Sequence, residues 1–538
     1  MEFELSLLQP KERASFGLRA LYEAAGCRKY HMGQFEEYAL YQENQNFLAS
    51  RQVITFTDLD GRLLALKPDV TLSIAKSAQP GPGETRRYYY SENVYRPSAE
   101  SHTFKEIAQM GLEYIGRVGQ AETGEAVGLA ARSLTLLAET MGQAWQMELG
   151  HMGYLSGLLD ALDVPASARQ GILARLRAKN RHELRTAALA AGLGDKGAEA
   201  LDELLALSGP APAVLDRAGA GCRNQAMKEA VAQLRALETQ LTAEGQGVQI
   251  DLSLSGEMEY YNGLIFQGYL RGAPRPVLKG GRYDLLAQKF TPGAGAIGFA
   301  VYLDELDRLT APAPPVQTTG AGLLNVALPK GRLGDKVYNL LAEGGCITPE
   351  DYNASRKLVV EDKAAGVRCF LVKPSDVAIY VEHGAADVGI VGKDILSEAE
   401  ADVYELLDTG LGRCRMCVAA PAGYQDDPGR PLRVATKFPR IAKEYYASLG
   451  RDIEIIKLNG SIELAPILGL SDVIVDIVET GTTLRENGLA VVAEFMHISA
   501  RVIANKSSYQ FKRRQTDRML DQLRRALARR QSQKEEMK

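Results

Sequence analysis

The sequence predicts an α/β and α+β multidomain protein, and three observations carry that reading. The chain has 538 residues, too many for one compact core, so about two to four domains are expected. Residues 310–322, from Thr310 to Gly322, are rich in Pro, Ala, Thr and Gly. That stretch has no charge and no apolar period, and it reads as a semi-extended linker. Ahead of it, strand patterns flank a long helical region; behind it, strands and helices alternate, as in α/β domains.

Bulk properties exclude several function classes. Hydrophobic residues make up 46% and charged residues 24%, ordinary for a soluble globular protein. A net charge of −4 gives no reason to expect a nucleic-acid partner. No apolar run approaches the ~20 residues of a membrane helix, so no membrane partner is expected. The start, Met1-Glu-Phe-Glu-Leu, lacks the basic-then-apolar pattern of a signal peptide. Six thinly spread cysteines, Cys27, Cys222, Cys346, Cys369, Cys414 and Cys417, suit reduced thiols in a cytoplasmic protein. Cys414-Arg-Met-Cys417 has CxxC spacing but no second pair, and it reads as a strand, so a structural role is expected. A Walker loop is absent: Asp394 follows Gly392-Lys393, and Asp387 stands where the first glycine belongs.

In the first half, residues 54–61 and 64–71 read as a hairpin leading into a helix. Residues 87–96 and 104–116 read as long strands. Residues 120–245 are rich in Ala, Leu, Glu and Arg at helical spacing. Strands resume at about 248–252, 259–266, 280–284 and 296–300. That order predicts a mainly antiparallel sheet with a helical insertion.

The second half opens with the strand Leu324 to Pro329, and Lys330-Gly331-Arg332 follows at the usual ligand edge of an α/β sheet. Ala354-Ser355-Arg356-Lys357 brings a second cationic cluster, and Lys373-Pro374-Ser375-Asp376 a third. Val473 to Val478 is a β-branched run broken by Asp476, and Glu479-Thr480-Gly481-Thr482-Thr483 follows it. Leu484 onward reads as a helix start. Strand, tight loop, helix is a phosphate-holding arrangement: N–H groups and hydroxyls face the anion, and the helix dipole favours it. Two acids there would repel a bare phosphate, but they fit a ligand that also carries sugar hydroxyls or Mg²⁺. A phosphorylated ribose such as PRPP meets both needs; the same residues also suit an ordinary strand-to-helix turn. At the C-terminus Leu520, Leu523 and Leu527 share one helical face, with arginines covering the other, which predicts a docking helix.

Together with Asp387 to Asp394, Arg433 to Pro439 and Lys457 to Pro466, these motifs resemble, in order, the short-form catalytic subunit of ATP phosphoribosyltransferase over about residues 322–530. The resemblance implies a two-lobed α/β domain of periplasmic-binding-protein-like fold, with its second lobe at about 415–500. It implies transfer of the phosphoribosyl group of PRPP to N1 of ATP with release of pyrophosphate, the first step of histidine biosynthesis. Mg²⁺ would be held mainly through substrate phosphates. Carried over by motif, Lys330, Arg332 and Arg356 would be catalytic. Asp476, Glu479, Thr480, Gly481, Thr482 and Thr483 would bind PRPP. Lys330, Gly331, Arg332, Lys373, Ser375 and Glu463 would bind ATP. Preorganised cations suit a transition state in which pyrophosphate gathers charge. Lys373 stands where the family more often has arginine, and an ammonium grips phosphate less specifically.

The first half resembles the class II histidyl-tRNA synthetase core over about residues 5–310, and more closely the synthetase-like regulatory subunit of ATP phosphoribosyltransferase. Asp69, Gln109, Glu113, Tyr260 and Tyr261 fall where the synthetase family grips histidine. A carboxylate suits the α-ammonium; an amide and phenols suit a polar ring. The groups for adenylate formation depart from the pattern. Gly256 replaces the arginine that acts on the amino-acid carboxylate, Glu305 replaces the ATP-holding arginine of the third motif, and Arg96 is followed by Pro97-Ser98 rather than an acid. No anticodon-binding domain follows. A histidine sensor is therefore expected over an aminoacylating or tRNA-binding protein. The expected organisation is a regulatory domain at 1–310, a linker at 311–322 and a catalytic domain at 323–538. Histidine would act as inhibitor, and four copies of the chain would equal the family's four-plus-four octamer.

Overall fold

The computed structural model describes residues 8–48, 52–98, 103–256, 260–310, 322–348 and 358–536. The chain divides into two compact units, Met1–Val316 and Gln317–Lys538.

The first unit is built on a nine-stranded sheet among the described residues. At its heart Thr85–Pro97 and Phe104–Gly116 pair antiparallel along their whole length, from Thr85 opposite Gly116 to Pro97 opposite Phe104. Gly295–Tyr302, Leu278–Arg282, Leu264–Leu270 and Trp145–His151 extend the sheet antiparallel. Side chains alternate faces along a strand, and that alternation separates two cores. Met110, Leu112, Tyr114, Ile297, Phe299 and Val301 pack with the helix Gln120–Met141. That helix buries Val127, Ala130, Leu134 and Leu137 at helical spacing. Tyr90, Val94, Ile115 and Ala296 face a second core that holds Tyr260 and Tyr283. Gln109 and Glu113, odd-numbered like Ile115, lie on this second face.

Two expectations need correction. Residues 120–245 are not continuously helical, because Trp145–His151 is a strand inside the sheet. Its Met147 and Leu149 alternate with polar residues, but the pattern is short and lies between two strongly helical stretches. Residues 260–263 are not strand either, and the ladder begins at Leu264. Asn262 instead donates its backbone N–H to Arg282 O at 3.0 Å.

The second unit holds two sheets among the described residues. In the first, Val359–Asp362, Val367–Val372, Leu324–Pro329, Val388–Gly392, Ala500–Ala504 and Tyr404–Asp408 lie in that order. In the second the order is Ile453–Lys457, Leu432–Thr436, Val473–Val478, Cys414–Pro421 and Leu489–Ile498. The chain passes between the sheets twice, at residues 409–413 and at Ser499. The helices Arg332–Glu343 and Lys506–Glu536 bury Val337, Leu340, Leu520 and Leu523 in the first sheet's core, with Leu527 packed against it. The arginine face of the last helix is partly tied down: Arg530 pairs with Glu343 at 2.6 Å. The helix expected after Leu484 is a single turn, Thr482–Glu486. Gly488, at φ 71°, ends it and turns the chain into the strand Leu489–Ile498. Cys414 and Cys417 lie on the strand Cys414–Pro421 as free thiols.

Candidate functional site

Parallel register brings most of the second unit's predicted residues to two sheet edges. Leu324–Pro329 and Val367–Val372 run parallel and end together, Pro329 opposite Val372. Lys330-Gly331-Arg332 and Lys373-Pro374-Ser375 therefore leave the sheet side by side at its carboxyl edge. Lys330, Arg332, Lys373 and Ser375 are exposed. Gly331 has φ 89° and ψ −164°, a conformation that excludes a Cβ, and it turns the chain into the helix Arg332–Glu343. Val388–Gly392 is parallel to Leu324–Pro329 and delivers Lys393 and Asp394 to the same edge. Arg356 lies outside the described residues.

The second sheet presents its own carboxyl edge, with Thr436 opposite both Val475 and Lys457. Lys437, the 458–460 loop and Asp476 follow these strand ends. Gly481, at φ 73°, makes the tight turn after Thr480. Thr480 Oγ1 and Thr482 Oγ1 share a hydrogen bond of 3.1 Å. Arg485 donates to Thr480 O and to Thr482 Oγ1, each at 3.2 Å. Sequence reasoning passed over Arg485, although its place three residues into the first turn after the hydroxyl loop was the available signal. Glu479, Thr480, Thr482 and Thr483 are exposed.

Asp476 is half-buried. Burial raises its carboxyl above the usual carboxylate value; the Ile477 N–H opposes the rise, Glu463 and Asp394 reinforce it, and Lys437 counters them. Asp394, buried at the opposite edge, is likewise raised by burial, with Lys437 acting against it. The two edges thus bring Asp394, Lys437, Glu463 and Asp476 within electrostatic reach of one another. Asp394 and Lys437 were not among the predicted site residues. One edge offers cations to polyphosphate; the other offers carboxylates and hydroxyls to a sugar phosphate.

In the first unit the second core contains a buried polar cluster. Glu113 is 2% exposed. Its Oε1 accepts from Thr71 Oγ1 at 2.7 Å, and its Oε2 accepts from the Tyr283 hydroxyl. It lies over Gly298 on the neighbouring strand, where a Cβ would meet Oε2 at 1.7 Å. Tyr260 stacks on Tyr283 with centroids 5.1 Å apart and meets Tyr261 edge-on at 4.7 Å. Gln109 Nε2 and the Tyr41 hydroxyl are buried with no hydrogen-bond partner among the described residues. Buried polar groups are rarely left so. Thr71, Tyr41 and Tyr283 escaped sequence reasoning because only tertiary packing brings Thr71 and Tyr283 to Glu113 and Tyr41 near Asp69.

Burial pushes Glu113 up to about 8, against the Tyr283 and Thr71 hydroxyls, with Asp69 adding to the rise. The folded chain therefore holds a proton that the unfolded chain releases at the ordinary carboxylate value. Stability from this group is complete below that value and is lost as pH rises through about 8. Glu113→Gln is expected to flatten the fall in melting temperature between about pH 5 and 8. Calorimetric melting of both chains across that range checks it; parallel curves would remove Glu113 as the titrating group.

Comparison with known proteins agrees with the two-unit division. The histidyl-tRNA synthetase family model matches residues 11–306, and the ATP phosphoribosyltransferase family model matches residues 373–525. An ATP phosphoribosyltransferase of Brachyspira hyodysenteriae is 62% identical over 191 residues, covering 35% of this chain and 93% of that protein. The chain belongs to the ATP phosphoribosyltransferase family. It carries a histidyl-tRNA synthetase-like half ahead of the phosphoribosyltransferase half in one polypeptide. The ATP phosphoribosyltransferase of Caldanaerobacter subterraneus is 52% identical over 190 residues, 35% of this chain and 90% of its own. A solved regulatory subunit/histidyl-tRNA synthetase from Bacillus halodurans shares the fold, with a TM-score of 0.50 at 23% identity over 69% of this chain and 99% of that one.

In the synthetase-like half, Arg96 is engaged internally. Its Nε donates to Pro68 O at 2.8 Å, and its guanidinium lies 3.5 Å from Asp69. Glu305, on the helix Asp304–Thr310, sits 3.9 Å from Arg308. In the phosphoribosyltransferase half, no group of three or more His, Cys, Asp or Glu among the described residues is placed to hold a metal ion. No helix among the described residues is long and apolar enough to cross a membrane.

Proposed function

We propose that the phosphoribosyltransferase half transfers the phosphoribosyl group of PRPP to N1 of ATP, giving N1-(5-phospho-β-D-ribosyl)-ATP and pyrophosphate in the cytoplasm. The 62% identity to an ATP phosphoribosyltransferase, 93% of which is covered, carries this reading. Adenine N1 already presents a lone pair, so no base is required. The lone pair forms the bond to ribose C1, and the C1–O bond breaks with its electrons leaving on pyrophosphate. Lys330, Arg332 and Lys373 on one edge, with Arg356, counter the charge that develops there. On the other edge the 480–483 hydroxyls and N–H groups suit the ribose phosphate, and Asp476 suits ribose hydroxyls.

Mg²⁺ characteristically retains water and takes one or two carboxylates plus substrate phosphates. The residues present fit that mode: Asp476 is one such carboxylate, and the mutual repulsion of Asp476, Glu463 and Asp394 would be relieved by a cation. Production of phosphoribosyl-ATP from ATP and PRPP, followed with and without histidine, tests the function; a folded chain that forms no product would defeat it.

The synthetase-like half is proposed to hold histidine and lower the rate, with four chains forming the active assembly. Asp69, Gln109, Glu113, Tyr260 and Tyr261 would form the pocket. Its support is a pocket that keeps carboxylate, amide and phenols, while Gly256 and Glu305 depart from the adenylate-forming pattern. Histidine-dependent ATP–pyrophosphate exchange in the absence of PRPP would overturn the sensor reading.

Asp476→Asn and Thr482→Val are each expected to weaken PRPP binding more than ATP binding, because both residues stand on the ribose-phosphate edge. Calorimetric titration of each substrate measures this. Equal losses for the two would detach these residues from PRPP.

A further inference from the structure

A cluster of four charges, with Arg501 and Glu405 buried and Asp408 and Lys393 half-buried, stands where the chain crosses between the two sheets of the second unit. Arg501, only 5% exposed, pairs through NH1 with Asp408 at 2.9 Å and through Nε with Glu405 at 3.4 Å. Glu405, 7% exposed, also pairs with Lys393 Nζ at 2.8 Å. Each crossing segment is tied into the cluster. Ser499 Oγ and the Gly410 N–H donate to Asp408 Oδ1 at 2.7 and 2.8 Å. Thr409 Oγ1 donates to Ala500 O at 2.8 Å, the Ala500 N–H to Leu411 O at 2.9 Å, and the Lys393 N–H to Ser499 O at 3.0 Å.

Strand geometry makes this arrangement specific. Residues three apart in a regular strand point to opposite faces, so Glu405 and Asp408 could not both meet Arg501. The register shifts between Glu405 and Leu407: Glu405 lies opposite Ile503, Leu407 opposite Val502, and Asp408 opposite Arg501. The one-residue bulge at Leu406 brings Glu405 and Asp408 to the face of Ile503 and Arg501. Bulges re-aim side chains in this way.

We infer that Arg501, Glu405 and Asp408 are positioning residues: they clamp the two crossing segments and thereby set how the cationic edge and the 476–483 edge face each other. Among the described residues the cluster pairs two cations with two anions. Buried pairs of this kind often add little net stability over apolar packing, and here they tie the two crossing segments together. The inference rests on the reading that ATP and PRPP meet between these edges. The reacting atoms must then be brought to near-contact by both edges together, and a shift of about 1 Å can cost ~100-fold in rate.

Arg501→Lys keeps the charge and removes the second arm of the fork. In the full chain it is expected to lower kcat by ~10- to 100-fold while the dissociation constants for ATP alone and PRPP alone stay at parent values. Amide exchange at residues 409–413 and 499 is expected to rise while the strand interiors keep their protection. A merely structural role would lower the melting temperature and leave kcat per folded molecule intact. Ser499→Ala, a milder variant, is expected to shift the same readouts less. Parent turnover and parent exchange in folded Arg501→Lys would overturn the clamp. So would loss of affinity for one substrate in step with kcat, or loss of fold in both variants. The exchange readout does not depend on product, so a parent chain that makes none counts against the reaction and leaves the clamp to be judged by exchange.

Discussion

Arg332→Ala is expected to lower turnover by ~10²- to 10³-fold while the protein stays folded, the range seen when a preorganised charge-stabilising group is removed. Arg332 is exposed at the start of the helix Arg332–Glu343, so its truncation opens no cavity and strands no buried partner. It leaves the sheet beside Lys373, and the register Pro329 opposite Val372 holds the two loops together. Pyrophosphate gains charge as the C1–O bond lengthens, so a fixed guanidinium lowers the transition state more than the ground state. The loss should therefore fall mainly on kcat. Arg332→Lys should recover only part of it, because an ammonium lacks the bidentate fork. Arg356→Ala is expected to behave alike on the strength of its motif. Steady-state kinetics with circular dichroism decide the matter, and unchanged turnover would take either arginine out of the mechanism.

The second large effect concerns regulation. Glu113→Gln is expected to raise the histidine concentration for half-inhibition by ~10- to 100-fold, since a charge-assisted hydrogen bond in a buried site contributes about 1.5–3 kcal/mol. Tyr261→Phe should raise it less. The sign of the pH effect follows from Glu113. With its carboxyl pushed up to about 8, the group is mostly protonated at neutral pH. An α-ammonium requires the carboxylate, so histidine binding should expel a proton. Histidine should thus bind more tightly as pH rises from about 6 to 8 and more weakly again once its own α-ammonium loses its proton, and Glu113→Gln should lose the rise. Coupling of ~1–3 kcal/mol between the pocket and the catalytic half would give roughly 5- to 150-fold inhibition. Inhibition curves across pH, with calorimetry in buffers of different ionisation enthalpy, read both quantities. Unchanged histidine sensitivity in both variants would place the regulatory site outside this pocket.

Much of this protein was readable from its residues, because the decisive signals are local. The β-branched run Val473 to Val478 ends at Asp476, and a loop of glycine and threonines follows it. Leu324 to Pro329 delivers Lys330-Gly331-Arg332 to a strand end. Leu520 and Leu523 share a helical face, and both are buried. These depend on backbone periodicity and on conformations open to few residues, such as φ 89° at Gly331 and 73° at Gly481. Trp145–His151 was missed for the opposite reason: a short strand in a helix-forming neighbourhood is selected by the strands it pairs with, not by its own pattern.

Residue identity alone says which chemical groups are available: the order of the motifs, the cations after one strand and the hydroxyl loop after another. It could not determine which groups meet. Parallel register set Lys373 beside Arg332, and facing sheet edges brought Asp394 and Lys437 to Asp476. Strand alternation turned Gln109 and Glu113 toward Tyr283, 170 residues further along the chain from Glu113. A single bulge aimed Glu405 and Asp408 at Arg501. The physical reason is that burial and electrostatic neighbourhood are properties of the assembled sheets. A carboxyl pushed up to about 8 by burial has the same sequence identity as one left at the ordinary value, and only the low-dielectric site made by distant residues separates them.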